Sequence, residues 1–367
     1  MPINLGYLRR FDWLLFGSTV LITAFGLVVI YSTSLAGNNA STPADFSNFW
    51  KQATLAGIGA LLVLVVSVFN YRMLSGLSRL IFAAAVIMLI AVLAFGTTLH
   101  GTTGWIRLGG FNFQPVELIK LVLVIFLAKF FSDFTRDVGS ARRILLSGAA
   151  FAAVFGLVLA QPDLGSAILL FIVWVVMLLV SGVRRSHVLV MAVVGILAVA
   201  LASTFVLKPY QKDRIANFWD NSRDPQGSGW NVSQSVIAVG SGGLLGKGLG
   251  FGSQSQLRFL PERQTDFIFS VVAEELGLLG VIMLCVLFGT FFFRAWMRAV
   301  RAKDDFTLFL ALGIIVSMAA EVFVNIGGAL RLLPMTGVTL PFVSYGGSSL
   351  LMKYLMVGVL EAIAVRE

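Results

Sequence analysis

Ionisable side chains inside strongly apolar runs are costly, and they mark candidate functional sites. In PERQTDFIFSVVAEELG, the residues Asp266, Ser270 and Glu274 recur at i, i+4 and i+8, which predicts one polar stripe on a helix that starts at Asp266. A carboxylate in this position could accept a proton from a nucleophile or could simply cap the helix, a role for which Thr265 competes. The spacing leaves both roles of Asp266 open.

A second polar stripe is formed by Gln114, Glu117 and Lys120, which recur at i, i+3 and i+6 in another apolar run. Glu117 and Lys120 could neutralise each other as a pair. The stripe is either part of a functional site or a structural ion pair between helices, and the spacing fits both.

Three further segments are unusually polar for the ends of apolar runs: 101–110, 161–166 and 333–349. The last contains Pro334, Pro341 and a pair of glycines, a composition typical of a re-entrant or broken segment before the last helix. Such backbone is tolerated at membrane depth only when it is buried in protein or lines a cavity. Trp105 lies beside Arg107 among flexible glycines and threonines, although a lone tryptophan is also common at membrane interfaces.

These residues must be positioned by membrane helices, because 58% of the 367 residues are hydrophobic and only 12% are charged. Apolar runs of about 20 residues recur throughout, the length that crosses a hydrocarbon core. We therefore expect an all-α polytopic integral membrane protein forming one membrane domain, 1–367. About ten spans are predicted, at 12–32, 50–69, 77–97, 114–132, 143–160, 164–182, 188–207, 266–293, 306–327 and 344–364.

Clusters of Arg and Lys fall at alternate connections between these spans, which predicts that both termini are cytoplasmic. The net charge of +9 follows this membrane pattern and does not indicate nucleic acid binding. The connection 208–265 is an exception, because it would be outside the cell and still carries seven Lys or Arg residues. We expect this long outer loop to pack onto the membrane surface as short amphipathic pieces that shape a site.

Several reaction classes are excluded by what the sequence lacks. The two histidines, His100 and His187, are predicted on opposite sides of the membrane, so they cannot share a catalytic relay or a metal site. The GGLLGKG segment does not match a phosphate-binding P-loop, which argues against ATP-driven chemistry. Cys285 is the only cysteine, so no intramolecular disulfide can form.

Long segments of the chain resemble the RodA/FtsW (SEDS) family of cell-wall polymerases: GWIRLG, FQPVELIKL, AQPDLGSA, LPERQTDF, AEELG and LPFVSYGGSSL. The likeness runs over nearly the whole chain, and LPERQTDF followed by AEELG is closer to the RodA, or elongation, branch than to the division branch. The resemblance implies a ten-helix fold in the bacterial cytoplasmic (inner) membrane. It also implies a peptidoglycan glycosyltransferase that acts on lipid II on the outer face of that membrane, with undecaprenyl pyrophosphate as the leaving group.

The resemblance also implies functional residues and partners. The family's essential aspartate falls on Asp266, its outer tryptophan on Trp105, and its charged pair on Glu117 and Lys120. The expected partners are a class B penicillin-binding protein, which is a single-span transpeptidase, and other membrane proteins of the elongation complex. The full candidate substrate-binding set is Trp105, Arg107, Glu117, Lys120, Gln161, Asp163, Arg214, Arg258, Glu262, Arg263, Glu274 and Ser344.

As a mechanism, we expect Asp266 to act as general base while an acceptor sugar hydroxyl displaces the pyrophosphate with inversion. Lys120, Arg214, Arg258 and Arg263 could stabilise the leaving group, and a divalent cation is an alternative source of positive charge. No other cofactor is expected. Two other functions stay open, a flippase for the lipid-linked precursor and a non-catalytic scaffold, and the basic loop could instead bind anionic lipid head groups.

Overall fold

The computed structural model describes residues 10–35, 44–99, 101–109, 111–133, 141–183 and 228–367. Within these residues the chain is mainly helical, with one small sheet. The helices are α1 Trp13–Ser34, α2 Ser47–Val68, α3 Arg72–Phe95, α4 Pro115–Asp133, α5 Ala141–Ala160, α6 Leu164–Val180, α7 Ser228–Ser241, α8 Ser253–Gln256, α9 Ile268–Val300, α10 Asp305–Ala329 and α11 Gly347–Arg366. The strands are β1 Thr97–Leu99, β2 Thr102–Leu108 and β3 Phe111–Phe113.

Seven helices among the described residues are long and apolar enough to cross a membrane: α1, α2, α3, α5, α9, α10 and α11. The apolar α6 is shorter, at 17 residues, and α4 carries Glu117 and Lys120 within its apolar sequence. Each predicted span that falls on described residues is matched by one of these helices. The predicted span 188–207 lies outside the described residues.

The described residues form two compact units. The first unit comprises those of Met1–Phe69, Ala216–Arg298 and Glu321–Glu367, and the second comprises those of Asn70–Ile215 and Ala299–Ala320. In the first unit, α2 and α11 approach closely because small residues line their contact. A Cβ atom on Gly59 would lie 2.3 Å from the Tyr354 ring, and one on Gly358 would lie 2.8 Å from Cβ of Val66.

Helix α9 is broken inside the first unit, at Gly277, whose φ of 66° is left-handed. The glycine-rich segment 242–248 packs against the break and replaces missing helical hydrogen bonds. For example, the Leu278 N–H donates to the Gly243 carbonyl at 3.0 Å. A Cβ atom on Gly246 would lie 2.2 Å from a backbone oxygen of α9, so only glycine permits this approach. The glycines therefore serve backbone packing.

The segment between α10 and α11 is irregular, and much of it is buried. Val343, in this segment, lies against the middle of α1, where a Cβ atom on Gly26 would come within 2.6 Å of its backbone. Since this irregular backbone is enclosed by protein, it satisfies the condition under which non-helical chain is tolerated at membrane depth. The predicted broken segment before the last helix is confirmed.

The second unit contains α3 to α6 and a three-stranded antiparallel sheet in the order β1-β2-β3. Strand β2 pairs with β1 through Thr97 and Trp105, and with β3 through Arg107 and Asn112. The sheet was not predicted from the sequence, in which this region reads as a polar connection. It joins α3 to α4 and carries both Trp105 and Arg107.

Candidate active site

Asp266 lies in a turn of the first unit that spans residues 261–267, and its side chain is half-buried. Helix α9 begins at Ile268, so the prediction that Asp266 belongs to the first helical turn is wrong by two residues. The turn is closed by two backbone bonds, because the Thr265 and Phe267 N–H groups both donate to the Glu262 carbonyl, at 3.1 and 3.3 Å. The turn therefore holds Asp266 at the entrance to α9.

The segment before α11 holds this turn from the other side. The Ser344 hydroxyl donates to the Thr265 carbonyl at 2.6 Å and accepts from the Leu340 N–H at 2.8 Å. The Tyr345 N–H donates to the Gln264 carbonyl at 2.7 Å. These bonds fix the backbone of the residues immediately before Asp266. Ser344, predicted to contact substrate, is thus placed where it supports the turn.

Gln52 of α2 extends the same network. Its amide nitrogen donates to the Ser344 carbonyl at 2.9 Å, and its amide oxygen accepts from the Gly346 N–H at 3.3 Å. Gln52 is fully buried. Because both ends of its side chain are bonded to one segment, α2 sets the position of that segment beside the Asp266 turn.

Two guanidinium groups precede Asp266 in the chain. Arg263 donates to the Ser255 carbonyl at 2.7 Å. Burial, together with repulsion from the neighbouring Arg258, lowers the pKa of the Arg263 guanidinium. Arg258 is exposed, and like Glu262 it has a left-handed backbone, with φ values of 61° and 52°. Strained backbone and adjacent like charges are both costly, and both are common at functional sites.

Glu262 and Glu274 have different environments. The Glu262 carboxylate accepts from the Thr265 hydroxyl at 2.9 Å and is exposed at the surface of the turn. Glu274 is fully buried in α9 and accepts from Lys247 and from the Gln254 N–H, both at 2.9 Å. Glu274, which belongs to the polar stripe predicted from the sequence, therefore anchors the segment around α8 to α9.

In the second unit, Glu117 and Lys120 of α4 form a buried ion pair with an N–O distance of 2.8 Å. Their side chains are only 7% and 3% exposed, so the predicted neutralising pair is present. Nearby, Gln114 donates to Asp163 at 3.1 Å. The Asp163 carboxylate also caps α6, accepting from the Ser166 N–H at 2.9 Å.

Burial raises the pKa of the Asp163 carboxyl above its ordinary value, although hydrogen bonds from Ser166 and the charge of Lys120 oppose this shift. The unit thus holds two carboxyl groups and one ammonium group in a small polar cluster, which we call the Lys120 cluster: Gln114, Glu117, Lys120 and Asp163.

The sheet meets the helices of the second unit through Gln161. The Gln161 carbonyl accepts from the Thr103 N–H at 3.3 Å, and its amide donates to the Leu89 carbonyl at 3.3 Å. On β2, the Trp105 indole donates to the Thr102 hydroxyl at 3.0 Å, while Arg107 is exposed. Gln161 thereby acts as a brace for the strand that carries Trp105 and Arg107.

Two of the sequence predictions have no structural counterpart to describe. Arg214 lies outside the described residues. Among the residues that the structure does describe, no group of three or more His, Cys, Asp or Glu side chains is arranged to hold a metal ion.

Other buried polar residues were missed by the sequence analysis. Lys353 of α11 and Glu321 of α10 form an ion pair at 2.6 Å, with side chains 0% and 1% exposed. Glu275, next to Glu274, accepts from the Ser32 hydroxyl and from Gln256 at 2.9 Å. The sequence does mark Lys353, Glu321 and Glu275 as candidates, because each is an ionisable residue within an apolar run.

At the opposite end of the first unit, Asp12 accepts bidentate hydrogen bonds from Arg294, at 2.9 to 3.2 Å, and two further bonds from Arg298. Burial opposes the charged form of Asp12, but the two guanidinium groups outweigh it and keep the pKa of this carboxyl below its ordinary value. This cluster ties the start of α1 to the end of α9.

The apolar helices, the enclosed irregular segment and the buried charge pairs define a polytopic integral membrane protein. The model of the FtsW/RodA/SpoVE family, described as "Cell cycle protein", matches residues 12–367. The chain belongs to this family.

Relatives and solved structures match this chain over nearly its whole length. The chain is 36% identical to stage V sporulation protein E of Bacillus subtilis, covering 95% of each chain. It is 38% identical to the peptidoglycan glycosyltransferase MrdB of Escherichia coli K12, covering 94% of this chain and 92% of that one. Rod shape determining protein RodA of Thermus thermophilus superposes with a TM-score of 0.72 at 30% identity, over 96% of both chains.

A second solved structure is described as "Structural coordination of polymerization and crosslinking by a peptidoglycan synthase complex". A chain of that complex superposes with a TM-score of 0.80 at 34% identity, covering 96% of this chain and 97% of the other.

Proposed function

We propose that this protein is a peptidoglycan glycosyltransferase that polymerises lipid II, with Asp266 as the general base. The names of its relatives, which include peptidoglycan glycosyltransferases, support the enzyme class. The observation that carries the proposal is the Asp266 turn. It presents a half-buried carboxylate on a backbone that buried side chains hold in place, and it follows two neighbouring guanidinium groups.

In this reaction, the C4 hydroxyl of an acceptor sugar attacks C1 of a donor sugar. Asp266 takes the hydroxyl proton as the new C1–O bond forms, and the bond from C1 to the pyrophosphate oxygen breaks on the opposite face. The anomeric centre is therefore inverted. A sugar hydroxyl is a weak nucleophile, and a positioned base contributes roughly 10²- to 10⁴-fold to such a step.

The departing pyrophosphate develops negative charge and needs positive groups beside it. Arg258 and Arg263 fit this need, because the Arg258 charge disfavours the charged form of Arg263, and an anion bound between them would relieve that repulsion. Arg263 is already oriented by the Ser255 carbonyl. Lys120, by contrast, is buried and bonded to Glu117.

The cellular role is a finer proposal. LPERQTDF followed by AEELG supports the elongation branch of the family. Identities of 38% to both MrdB and an FtsW relative from Trichlorobacter lovleyi do not separate the two branches. We also propose a class B penicillin-binding protein as partner, since the solved complex is described as coordinating polymerisation with crosslinking.

The orientation in the membrane is proposed on the distribution of charge. Within the first unit, Arg10 and Arg298 lie at the ends of α1 and α9 that are opposite to the Asp266 turn. By the positive-inside rule these ends are cytoplasmic, so the Asp266 turn faces outward and both termini are inside. The membrane is then the bacterial cytoplasmic membrane.

The proposal is tested by purifying the chain with a single-span transpeptidase partner and supplying lipid II in detergent and in liposomes. Formation of glycan polymer supports the glycosyltransferase. Movement of lipid II across the bilayer without polymer would favour a flippase, and neither activity would leave a scaffold as the better description.

A further inference from the structure

We infer that Asn325 is a positioning residue for Asp266, an inference that rests on the proposed function. Asn325 belongs to α10 and is only 1% exposed. Its side-chain nitrogen donates two hydrogen bonds, to the Asp266 carbonyl at 3.0 Å and to the Val338 carbonyl at 2.8 Å. A single buried amide thus joins the backbone of Asp266 to the segment before α11.

The orientation of this amide follows from its two partners. Both are carbonyl oxygens, so the group that faces them must be the NH₂ donor, and the reversed amide would set oxygen against oxygen. The Asn325 side-chain oxygen is buried and finds no hydrogen-bond donor among the described residues. Leaving a buried acceptor without a partner is costly. The contribution of Asn325 to this site is therefore its two donor hydrogen bonds.

These bonds hold backbone that borders the Asp266 carboxylate. Val338 follows Gly337, where a Cβ atom would lie 3.6 Å from the Oδ2 atom of Asp266. Gly337 also has a left-handed φ of 74°. Asn325 therefore sets the distance between Asp266 and the chain segment that borders its side chain. Ser344 holds the preceding carbonyl, of Thr265, so that Asp266 is fixed from two directions.

Loss of Asn325 should affect the rate of the chemical step more than substrate affinity. A displacement of about 1 Å at a reacting group can lower a rate by roughly 10²-fold. Arg263, which is proposed to bind pyrophosphate, is oriented by the Ser255 carbonyl and not by Asn325. For Asn325→Ala we expect kcat to fall by roughly 10- to 100-fold with KM for lipid II nearly unchanged.

The matched control is Ser235→Ala. The Ser235 hydroxyl of α7 is also fully buried. It donates to the Ala329 carbonyl at the end of α10 at 2.8 Å and bonds to the Ser270 hydroxyl of α9 at 2.6 Å. Neither of these partners belongs to the Asp266 turn, 261–267. Both variants lose two buried hydrogen bonds near the end of α10, so a purely structural role predicts similar effects from both.

Two measurements decide the inference. Steady-state polymerisation gives kcat and KM, and hydrogen–deuterium exchange reports the backbone of 262–268 without any need for activity. We expect Asn325→Ala, and not Ser235→Ala, to lower kcat and to speed exchange in 262–268 while other segments keep wild-type exchange. Wild-type exchange in that segment, or equal effects from both variants, would overturn the inference.

Asn325→Asp gives an independent readout. A buried carboxyl favours its neutral form, which can donate one of the two bonds, whereas the ionised form donates neither. We therefore expect the activity of Asn325→Asp, divided by that of the wild type at each pH, to fall as pH rises. A constant ratio would count against the positioning role. If the wild type makes no polymer while exchange still changes in 262–268, the proposed function fails and the structural link to Asp266 stands.

Discussion

In the first unit the Asp266 carboxylate is half-buried and its turn is held through backbone carbonyls, whereas in the second unit Glu117 and Lys120 are almost fully buried and bonded to each other. Both arrangements place charge in a chain made mainly of apolar helices. They differ in which groups form hydrogen bonds with the surrounding residues. Around Asp266 the bonds described above hold the backbone of the turn, and in the Lys120 cluster they join the charged groups themselves.

This difference separates two uses of charge in a membrane. A carboxylate that accepts a proton from substrate must be reachable and must be held in one orientation. A buried ion pair satisfies its own charges, so it fixes how helices pack and leaves little capacity for an outside ligand. On this comparison, loss of a charge in the Lys120 cluster should first lower stability, and loss of Asp266 should first lower the rate.

The largest expected effect on stability comes from Lys120→Met. This change leaves the Glu117 carboxylate buried without its ammonium partner, at a cost of about 3–5 kcal/mol in the free energy of unfolding. Thermal unfolding in detergent measures it. The double variant Glu117→Gln with Lys120→Met removes both charges and should recover most of the loss. A double variant that is less stable than either single variant would show that the pair is not acting as a unit.

Next in size is Gly246→Ala in the first unit. The added Cβ would lie 2.2 Å from the Glu275 carbonyl, at a residue whose φ of 77° is left-handed. Overpacking costs about 1–3 kcal/mol, and left-handed backbone adds about 1–2 kcal/mol. Gly240→Ala is the control, because no atom of the described residues beyond its own stretch of helix lies within 4 Å of its Cβ position. Equal unfolding temperatures for the two variants would contradict the packing of segment 242–248 against the break in α9.

A smaller effect is expected for Arg263→Gln. Removing one of the two neighbouring guanidinium groups should weaken lipid II binding by about tenfold, the equivalent of ~1.4 kcal/mol. Titration of binding at several salt concentrations measures this loss and should show a weaker salt dependence. Lys129→Gln, in an exposed pair with Asp133, is the control. If both variants bind alike, Arg263 has no role in holding pyrophosphate.

The smallest effect concerns pH and Asp163. Because burial raises the pKa of this carboxyl, the folded state favours its neutral form. Its contribution to stability is therefore full below the unfolded-state pKa and is lost as pH rises through the raised folded-state pKa. Asp163→Asn should flatten this dependence. Unfolding temperatures measured across mildly acidic to neutral pH provide the test, and identical slopes would contradict it.

The sequence predicted those parts of the fold that depend on local composition. Apolar runs of membrane length predicted α1 to α6 and α9 to α11. The broken segment before α11 follows from Pro334, Pro341 and the glycine pair. Helix ends are less certain, and the start of α9 at Ile268 placed Asp266 outside the helix.

Features that depend on contacts between distant residues were not predicted. The sheet of the second unit is braced by Gln161, more than 50 residues later in sequence, and no local pattern reports that contact. Lys353 pairs with Glu321 across two helices, and Asn325 bonds to Asp266. Each is a polar residue in an apolar run, so the sequence could mark the residue but not its partner.

The most direct test of the account is the initial rate of lipid II polymerisation by Asp266→Asn, compared with the wild type after both show the same unfolding temperature and bind lipid II equally. Asparagine keeps the shape of the side chain and removes its ability to take a proton. We expect the rate to fall by roughly 10²-fold or more. A rate within a few fold of the wild type would show that Asp266 is not the general base.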